Sequence, residues 1–274
     1  MLRLTQALGQ TTSAGRPLPD LFLCLSRAGV RPRRGQVTMI AGPPNGGKSM
    51  LALHYVLKHK LRTLYISADT DPFTTVLRSG AILTGDRVDD VETGINGPGS
   101  AYYEDELNTM DNIMFAFDPS PTLDDIDLEV MAFEELWGSP PEVLVIDNLM
   151  NVVAEHESEY AGMREISKAL HHIARRTEAG IFILHHTSES EGKPNFPASR
   201  KAIMGKISQL PEMILTVALD SYSGEYRIAC VKNRSGKHDA TGDNYWTLYA
   251  DPSRMALYEE RQEWAIAAAR GAIQ

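Results

Sequence analysis

The chain has 274 residues, 43% of them hydrophobic and 23% charged, which suits one large α/β domain with short appendages. A formal net charge of −9 argues against indiscriminate coating of nucleic acid but not against a local basic channel, because the acidic residues concentrate in 86–92, 104–111 and 124–135. Two cysteines, Cys24 and Cys230, share no metal-ligand or disulfide spacing, and no run is apolar enough for a signal peptide or a membrane span; a reducing, cytoplasmic setting with no membrane partner is expected.

Residues 1–20 lack periodicity and contain Gly9, Gly15, Pro17 and Pro19, the composition of an arm or linker. Residues 21–30 fit a short helix or strand. Arg31, Arg33 and Arg34 lead into 36–41, a buried strand bounded by Gly35. Gly42-Pro43-Pro44-Asn45-Gly46-Gly47-Lys48-Ser49 then fits G-x-x-x-x-G-K-[ST], and residues 50–57 continue with the apolar spacing of a helix. Strand, glycine loop and helix is the order that a phosphate-cradling loop requires. Its glycines bring backbone N–H groups close to the β- and γ-phosphates, and Lys48 supplies a point charge to them. The Ser49 hydroxyl can hold Mg²⁺, and the helix presents its positive end to the anion.

Residues 62–69 form a second strand ending in Asp69, and 72–83 read as a helix stopped near Gly85. Residues 86–111, polar and carrying Gly94, Gly97 and Gly99, look like a surface excursion. A third strand is expected at 112–118. A helix follows over 122–137, with Thr122 as candidate N-cap and Asp124 and Asp125 in its first turn. Residues 142–148 are a continuous apolar run ending in Asp147, the pattern of a parallel strand buried on both faces. An acidic loop at 150–160, a helix at 162–177 and a buried strand at 181–186 ending in His185-His186 come next, then a loop at 187–205. Strands at 213–220, 225–232, 244–250 and 254–258 are separated by turn dipeptides, and 259–271 reads as a C-terminal helix. Alternating strands and helices followed by hairpins imply a mostly parallel sheet with an antiparallel extension.

In open α/β sheets, ligands sit at the carboxyl ends of the strands. Asp147, after its apolar run, fits the Walker B role of holding Mg²⁺ directly or through water. Asn148 follows it, so a base for the attacking water has to come from elsewhere; Asp69 is the first candidate and Asp71 its rival, both also compatible with turn chemistry. His185 and His186 point to opposite faces of their strand, so one can sense the γ-phosphate while the other packs. Lys232 and Arg234 are two residues apart on a strand and face the same way.

Together these residues resemble the RecA-like ATPase core of DnaB-type replicative helicases and their RecA and KaiC relatives, over roughly 18–258, with a length that fits a small phage or plasmid member. Ile66-Ser67-Ala68-Asp69 stands where the helicases carry Ser-Leu-Glu, which implies Asp69 as the catalytic carboxylate. Leu184-His185-His186 stands where they have Ser-Gln, which gives His186 the sensor role. Val231-Lys232-Asn233-Arg234-Ser235-Gly236 is similar to their Lys-x-Arg-Asn-Gly segment, whose Lys and Arg reach the γ-phosphate of the neighbouring subunit. The resemblance implies a RecA-like P-loop NTPase domain over 21–258, which leaves 259–274 as the segment of the C-terminal helix. It also implies ATP with Mg²⁺, a ring or helical homo-oligomer, most simply a hexamer, and movement on single-stranded DNA. DNA contact is expected from the loops after the Walker B and sensor strands. The first, around His156 to Tyr160, is acidic; the second carries Lys193, Arg200, Lys201 and Lys206 with Phe196, a mix suited to tracking phosphates and stacking on bases. Three other outputs share this residue set: a recombination ATPase that binds DNA without unwinding it, a metal-dependent nuclease reusing Asp69 and Asp147, and a nucleotide-gated assembly protein.

Overall fold

The computed structural model describes residues 14–154, 159–188 and 193–271. Residues 1–13 of the expected arm, 155–158 of the acidic loop and the side chain of Lys206 lie outside the described residues. Nine strands form one sheet in the order β3-β2-β4-β5-β1-β6-β7-β8-β9. They are β1 (Val37–Gly42), β2 (Thr63–Ser67), β3 (Ile113–Ala116), β4 (Val143–Asp147), β5 (Gly180–His186), β6 (Met213–Asp220), β7 (Glu225–Asn233), β8 (Tyr245–Asp251) and β9 (Ala256–Tyr258). The first six positions in that order pair in parallel, and β7, β8 and β9 add antiparallel. The expected mostly parallel sheet with an antiparallel extension is the observed one.

The continuous apolar runs of the central strands follow from burial on both faces. Ile40, Val145 and Leu184 face a core closed by helix α2 (Lys48–Lys58), through Leu51, Tyr55 and Val56. Met39, Ile146 and Ile183 face the other core, closed by α6 (Leu123–Trp137) and α7 (Glu159–Thr177) through Val130, Phe133 and Leu170. The start of α6 is fixed as its sequence suggests. Thr122 Oγ1 accepts from Asp125 N at 3.2 Å, and Asp125 Oδ2 accepts from Thr122 N at 2.9 Å, a reciprocal capping box.

Two expectations change. Residues 86–111, expected as a surface excursion, contain two short helices, α4 (Val88–Ile95) and α5 (Ser100–Asn108), packed on α3 (Pro72–Thr84). Val91 and Tyr103 bury against Leu77 and Ala81 in a satellite core, so the acidic residues that dominate the segment are its solvent face. Residues 14–20 are not a linker either. Pro17 bridges Arg33, Leu18 N donates to Pro32 O at 2.9 Å, and Leu18 is 3% exposed. Residues 21–30 resolve into a short helix, α1 (Leu23–Arg27), whose first N–H groups are capped across the chain by Glu259: Leu23 N and Cys24 N donate to its carboxylate at 3.0 and 2.7 Å. The C-terminal helix α8 (Arg261–Gly271) docks through Trp264, whose Nε1 donates to Ala250 O at 3.0 Å. No helix among the described residues is long and apolar enough to cross a membrane.

Candidate nucleotide site

The loop between β1 and α2 wraps the mouth of a cavity of about 1310 Å³ at the carboxyl edge of the parallel strands. Residues 43–49 line it together with Asp69, Asp147, His186 and Lys193. Four strand ends therefore meet where the sequence placed them, because the order β2-β4-β5-β1 sets their carboxyl termini side by side.

Two of the loop glycines are required by contact. Gly47 has φ +82° and serves as N-cap of α2; a Cβ there would stand 2.6 Å from Tyr226 Cε2. A Cβ on Gly42 would stand 2.7 Å from Val217 O. Tyr226, on β7, is wholly buried beneath the loop and donates its hydroxyl to Gly47 O at 3.1 Å. Nothing in the motif announces this support, which comes from a residue 179 positions away in the chain.

Lys48 is 7% exposed and folds back over its own loop, donating from Nζ to Pro43 O at 2.8 Å and Gly42 O at 3.2 Å. Burial pulls its pKa below the usual lysine value, and the carboxylates of Asp147 and Asp69 oppose that fall. Asp147 is 3% exposed; burial pushes its carboxyl up, against hydrogen bonds from Ser49 and Tyr65. Ser49 and Asp147 thus present a hydroxyl and a carboxylate to one point, the hard oxygen donors that Mg²⁺ favours. Asp69 lies within electrostatic reach of Lys48, Asp147 and His186. Its rival Asp71 is committed elsewhere. It is the N-cap of α3, accepting from Thr74 N at 2.9 Å and Thr74 Oγ1 at 2.6 Å.

The two histidines separate as alternation on a strand demands. His185 is 1% exposed and its Nε2 donates to Met204 O at 3.0 Å; burial pulls its pKa down to about 4, so it stays a neutral core residue. His186 faces the cavity, with Nδ1 3.5 Å from Lys48 Nζ and Nε2 3.4 Å from Asn148 Nδ2. Burial, then the Lys48 charge, hold it below the ordinary histidine value.

Residues 28–192 match the AAA-domain family, more than half of the chain. The chain belongs to the AAA-domain family. Two phage proteins share its sequence over most of their length. The gene 65 protein of Mycobacterium phage L5 is 33% identical over 252 residues, covering 89% of this chain and 93% of that protein. The gene 65 protein of Mycobacterium phage D29 is 32% identical over 222 residues, covering 77% and 94%. In fold, this AAA-domain chain superposes on a separately solved ATPase domain with a TM-score of 0.77 over 94% of its length and 96% of that chain, at 13% identity. It superposes on a DnaB-like replicative helicase, solved with attention to its interactions with primase, with a TM-score of 0.76 and 13% identity over 93% of its length; it spans 66% of that helicase chain. The fold is that of DnaB-type helicase ATPase domains, as the motifs suggested.

Of the other expected site residues of this AAA-domain chain, Lys232, Arg234, Arg200 and Lys201 are not among those that line the cavity. Tyr226 touches the P-loop, and Lys232 is six residues further along β7, which runs antiparallel to β6; at ~3.4 Å per residue that is about 20 Å. Lys232 and Arg234 therefore sit at the opposite end of the strands from their own P-loop, and not at the lateral edge of the sheet, which β9 occupies. They do face the same way. Lys232 Nζ donates to Gln209 O at 2.6 Å and Ser208 O at 3.0 Å, and Arg234 Nη2 donates to Gln209 O at 3.3 Å. Burial, with the charges of Arg234 and Arg200, pushes Lys232 down to about 8. The three expected DNA-binding cations do not form one patch: Lys193 lines the nucleotide cavity, Arg200 lies within reach of Lys232, and Lys201 is exposed beside it in a 3₁₀ turn. Phe196 is not a free stacking platform, since the Arg227 guanidinium lies 4.4 Å over its ring and Tyr245 packs on its edge.

Proposed function

We propose that this protein is a DnaB-like motor that hydrolyses ATP between subunits of a ring or helical homo-oligomer, most simply a hexamer, and moves on single-stranded DNA. One observation supports the reading: the charged residues assigned to catalysis are divided between the two ends of one sheet. Lys48, Asp69, Asp147 and His186 line the nucleotide cavity, whereas Lys232 and Arg234 lie about 20 Å from their own P-loop, so in this reading they serve a neighbour's.

In this reading the backbone N–H groups of 46–49 and Lys48 bind the β- and γ-phosphates, and Ser49 and Asp147 would hold Mg²⁺. When bound, Mg²⁺ supplies charge neutralisation on the phosphate oxygens. Asp69 accepts the proton of the attacking water. His186 reads the γ-phosphate through its tautomer. Asn148 Oδ1 accepts from Met150 N at 2.8 Å, which turns its Nδ2 toward His186 Nε2. Lys48 Nζ, on the other side, is also a donor, so a neutral imidazole accepts from only one of them. Once Lys48 engages phosphate, Nε2 accepts from Asn148 and Nδ1–H is left to donate to the γ-phosphate. Arg234 of a neighbour stabilises the charge of the transferring group.

The deciding experiment is ATPase rate with and without single-stranded DNA, followed by displacement of a forked duplex. DNA-stimulated turnover with displacement is expected. Stimulation without displacement would favour a recombination-type ATPase. Cutting of DNA with metal alone would favour a nuclease, and slow DNA-independent turnover with ATP-driven assembly would favour a structural switch.

A further inference from the structure

At the finger end of the sheet, a cavity of about 220 Å³ is lined by Lys168, His171, His172 and Arg175 of α7 together with Leu210, Glu212 and Arg234. Among these described residues Glu212 is the one carboxylate, and its side chain is 14% exposed. It lies in the turn before β6 and ties that turn to three other places in the fold. Its Oε2 accepts from Val37 N at 3.0 Å, at the start of β1, and from His171 Nε2 at 3.1 Å. Its Oε1 pairs with Arg234 Nη1 at 3.2 Å. In the backbone, Glu212 N donates to Val37 O and Arg234 N donates to Glu212 O, both at 3.0 Å.

We infer that Glu212 is the positioning residue of the Arg234 finger. The inference rests on the reading of Arg234 as a trans-acting residue and adds what aims it. Arg234 is half-exposed, and among the described residues its guanidinium otherwise holds only the carbonyls of Gln209 and Leu210, at 3.3 and 3.4 Å. Neutral carbonyls alone leave a long cationic side chain free to swing into water; a charge-assisted bond to a half-buried carboxylate fixes its direction. The same carboxylate grips the first N–H of β1, the strand that ends in the P-loop. The finger face and the protein's own nucleotide strand therefore share one anchor.

Glu212→Gln isolates this role. Its carbonyl oxygen can replace Oε2 and keep Val37 and His171, but its amide then points donor hydrogens at Arg234, which has no acceptor. The full-length variant should lose about 10- to 100-fold in kcat, the scale of a misplaced catalytic group, with KM for ATP nearly unchanged. Mixed assemblies give a readout that general damage would not. Lys48→Ala, which offers a normal finger, should restore turnover at Glu212→Gln sites, whereas Arg234→Ala should not. Turnover of Glu212→Gln equal to the wild type, beside an inactive Arg234→Ala, overturns the inference and leaves the finger standing. Loss of turnover that Lys48→Ala cannot complement overturns it too, because the damage is then in the variant's own P-loop. A fully active Arg234→Ala removes the finger and the inference together. Should Glu212→Gln not fold, Glu212→Asp takes the same tests; it keeps the charge beside Val37 but falls one methylene short of Arg234.

Discussion

Tyr65 donates its hydroxyl to Asp147 Oδ2 at 2.8 Å, across the adjacent strands β2 and β4. The bond favours the ionised form of a buried carboxylate against the pull of desolvation. Asp147 titrates above the ordinary value of 3.8 because burial outweighs the hydrogen bonds from Ser49 and Tyr65. Turnover should fall on the acid side as Asp147 takes up a proton. Tyr65→Phe should move that limb up by about one pH unit, since a hydrogen bond to a charged group contributes on the order of 1.5 kcal/mol. The sign for stability is consistent. A carboxylate whose folded pKa exceeds its unfolded one costs stability as pH rises past 3.8, so the variant should lose more stability than the wild type between that pH and neutrality. A kcat profile over pH 4.5 to 9 that coincides with that of the wild type would remove Tyr65 from the site.

Asp69 and Asp71 are two residues apart and differ in setting: Asp69 lines the cavity, whereas Asp71 caps α3. Asp69→Asn should bind ATP but lose roughly 10²-fold or more in turnover, as expected for loss of a general base. Asp71→Asn should retain turnover, because that side chain caps α3 and asparagine caps nearly as well. An active Asp69→Asn beside an inactive Asp71→Asn would reverse the assignment.

The split of the basic residues separates two effects of substitution. Arg200→Ala with Lys201→Ala should weaken single-stranded DNA binding and reduce the slope of log K against log salt by about 1.4, at roughly 0.7 per phosphate contact. Lys193→Ala, at a residue that lines the nucleotide cavity, should instead raise KM for ATP. Salt titrations of DNA binding that superpose for the double variant and the wild type would take Arg200 and Lys201 out of the DNA path.

Arg234→Ala should bind ATP almost normally and hydrolyse it on the order of 10³-fold more slowly, the contribution of an arginine finger. Mixed with Lys48→Ala, which lacks its own phosphate cradle but offers an intact finger, it should recover activity at the hybrid interfaces. Two inactive variants that co-assemble yet never complement at any ratio would show that Arg234 does not act in trans.

The groups that the sequence could place by itself are those whose role follows from covalent neighbours. Residues 42–49 carry their own conformational instructions, and Asp147 and His186 end apolar runs whose burial on both faces leaves one exit, the carboxyl edge of the sheet. Likewise Thr122 and Asp125 cap α6 within three residues of each other. What needed tertiary structure are the pairs joined only through the sheet order. Tyr226 supports Gly47 from 179 residues away, and Tyr65 meets Asp147 across 82. Glu212 meets Val37 across 175 residues, and Phe196 is covered by an arginine from β7. The helices at 88–108 were hidden for a related reason: their apolar side is short, Val88, Val91 and Ile95 on one helix and Tyr103 on the other, and it sits among acidic residues and glycines until α3 supplies the surface that it covers. Asp69 and Asp71 were equivalent as letters, and the direction in which α3 leaves the strand made one a cap and left the other facing the cavity. A linear chain specifies which groups are present and their local geometry. Which of them share a site depends on strand order and register, and those are set by the mutual burial of all the elements at once.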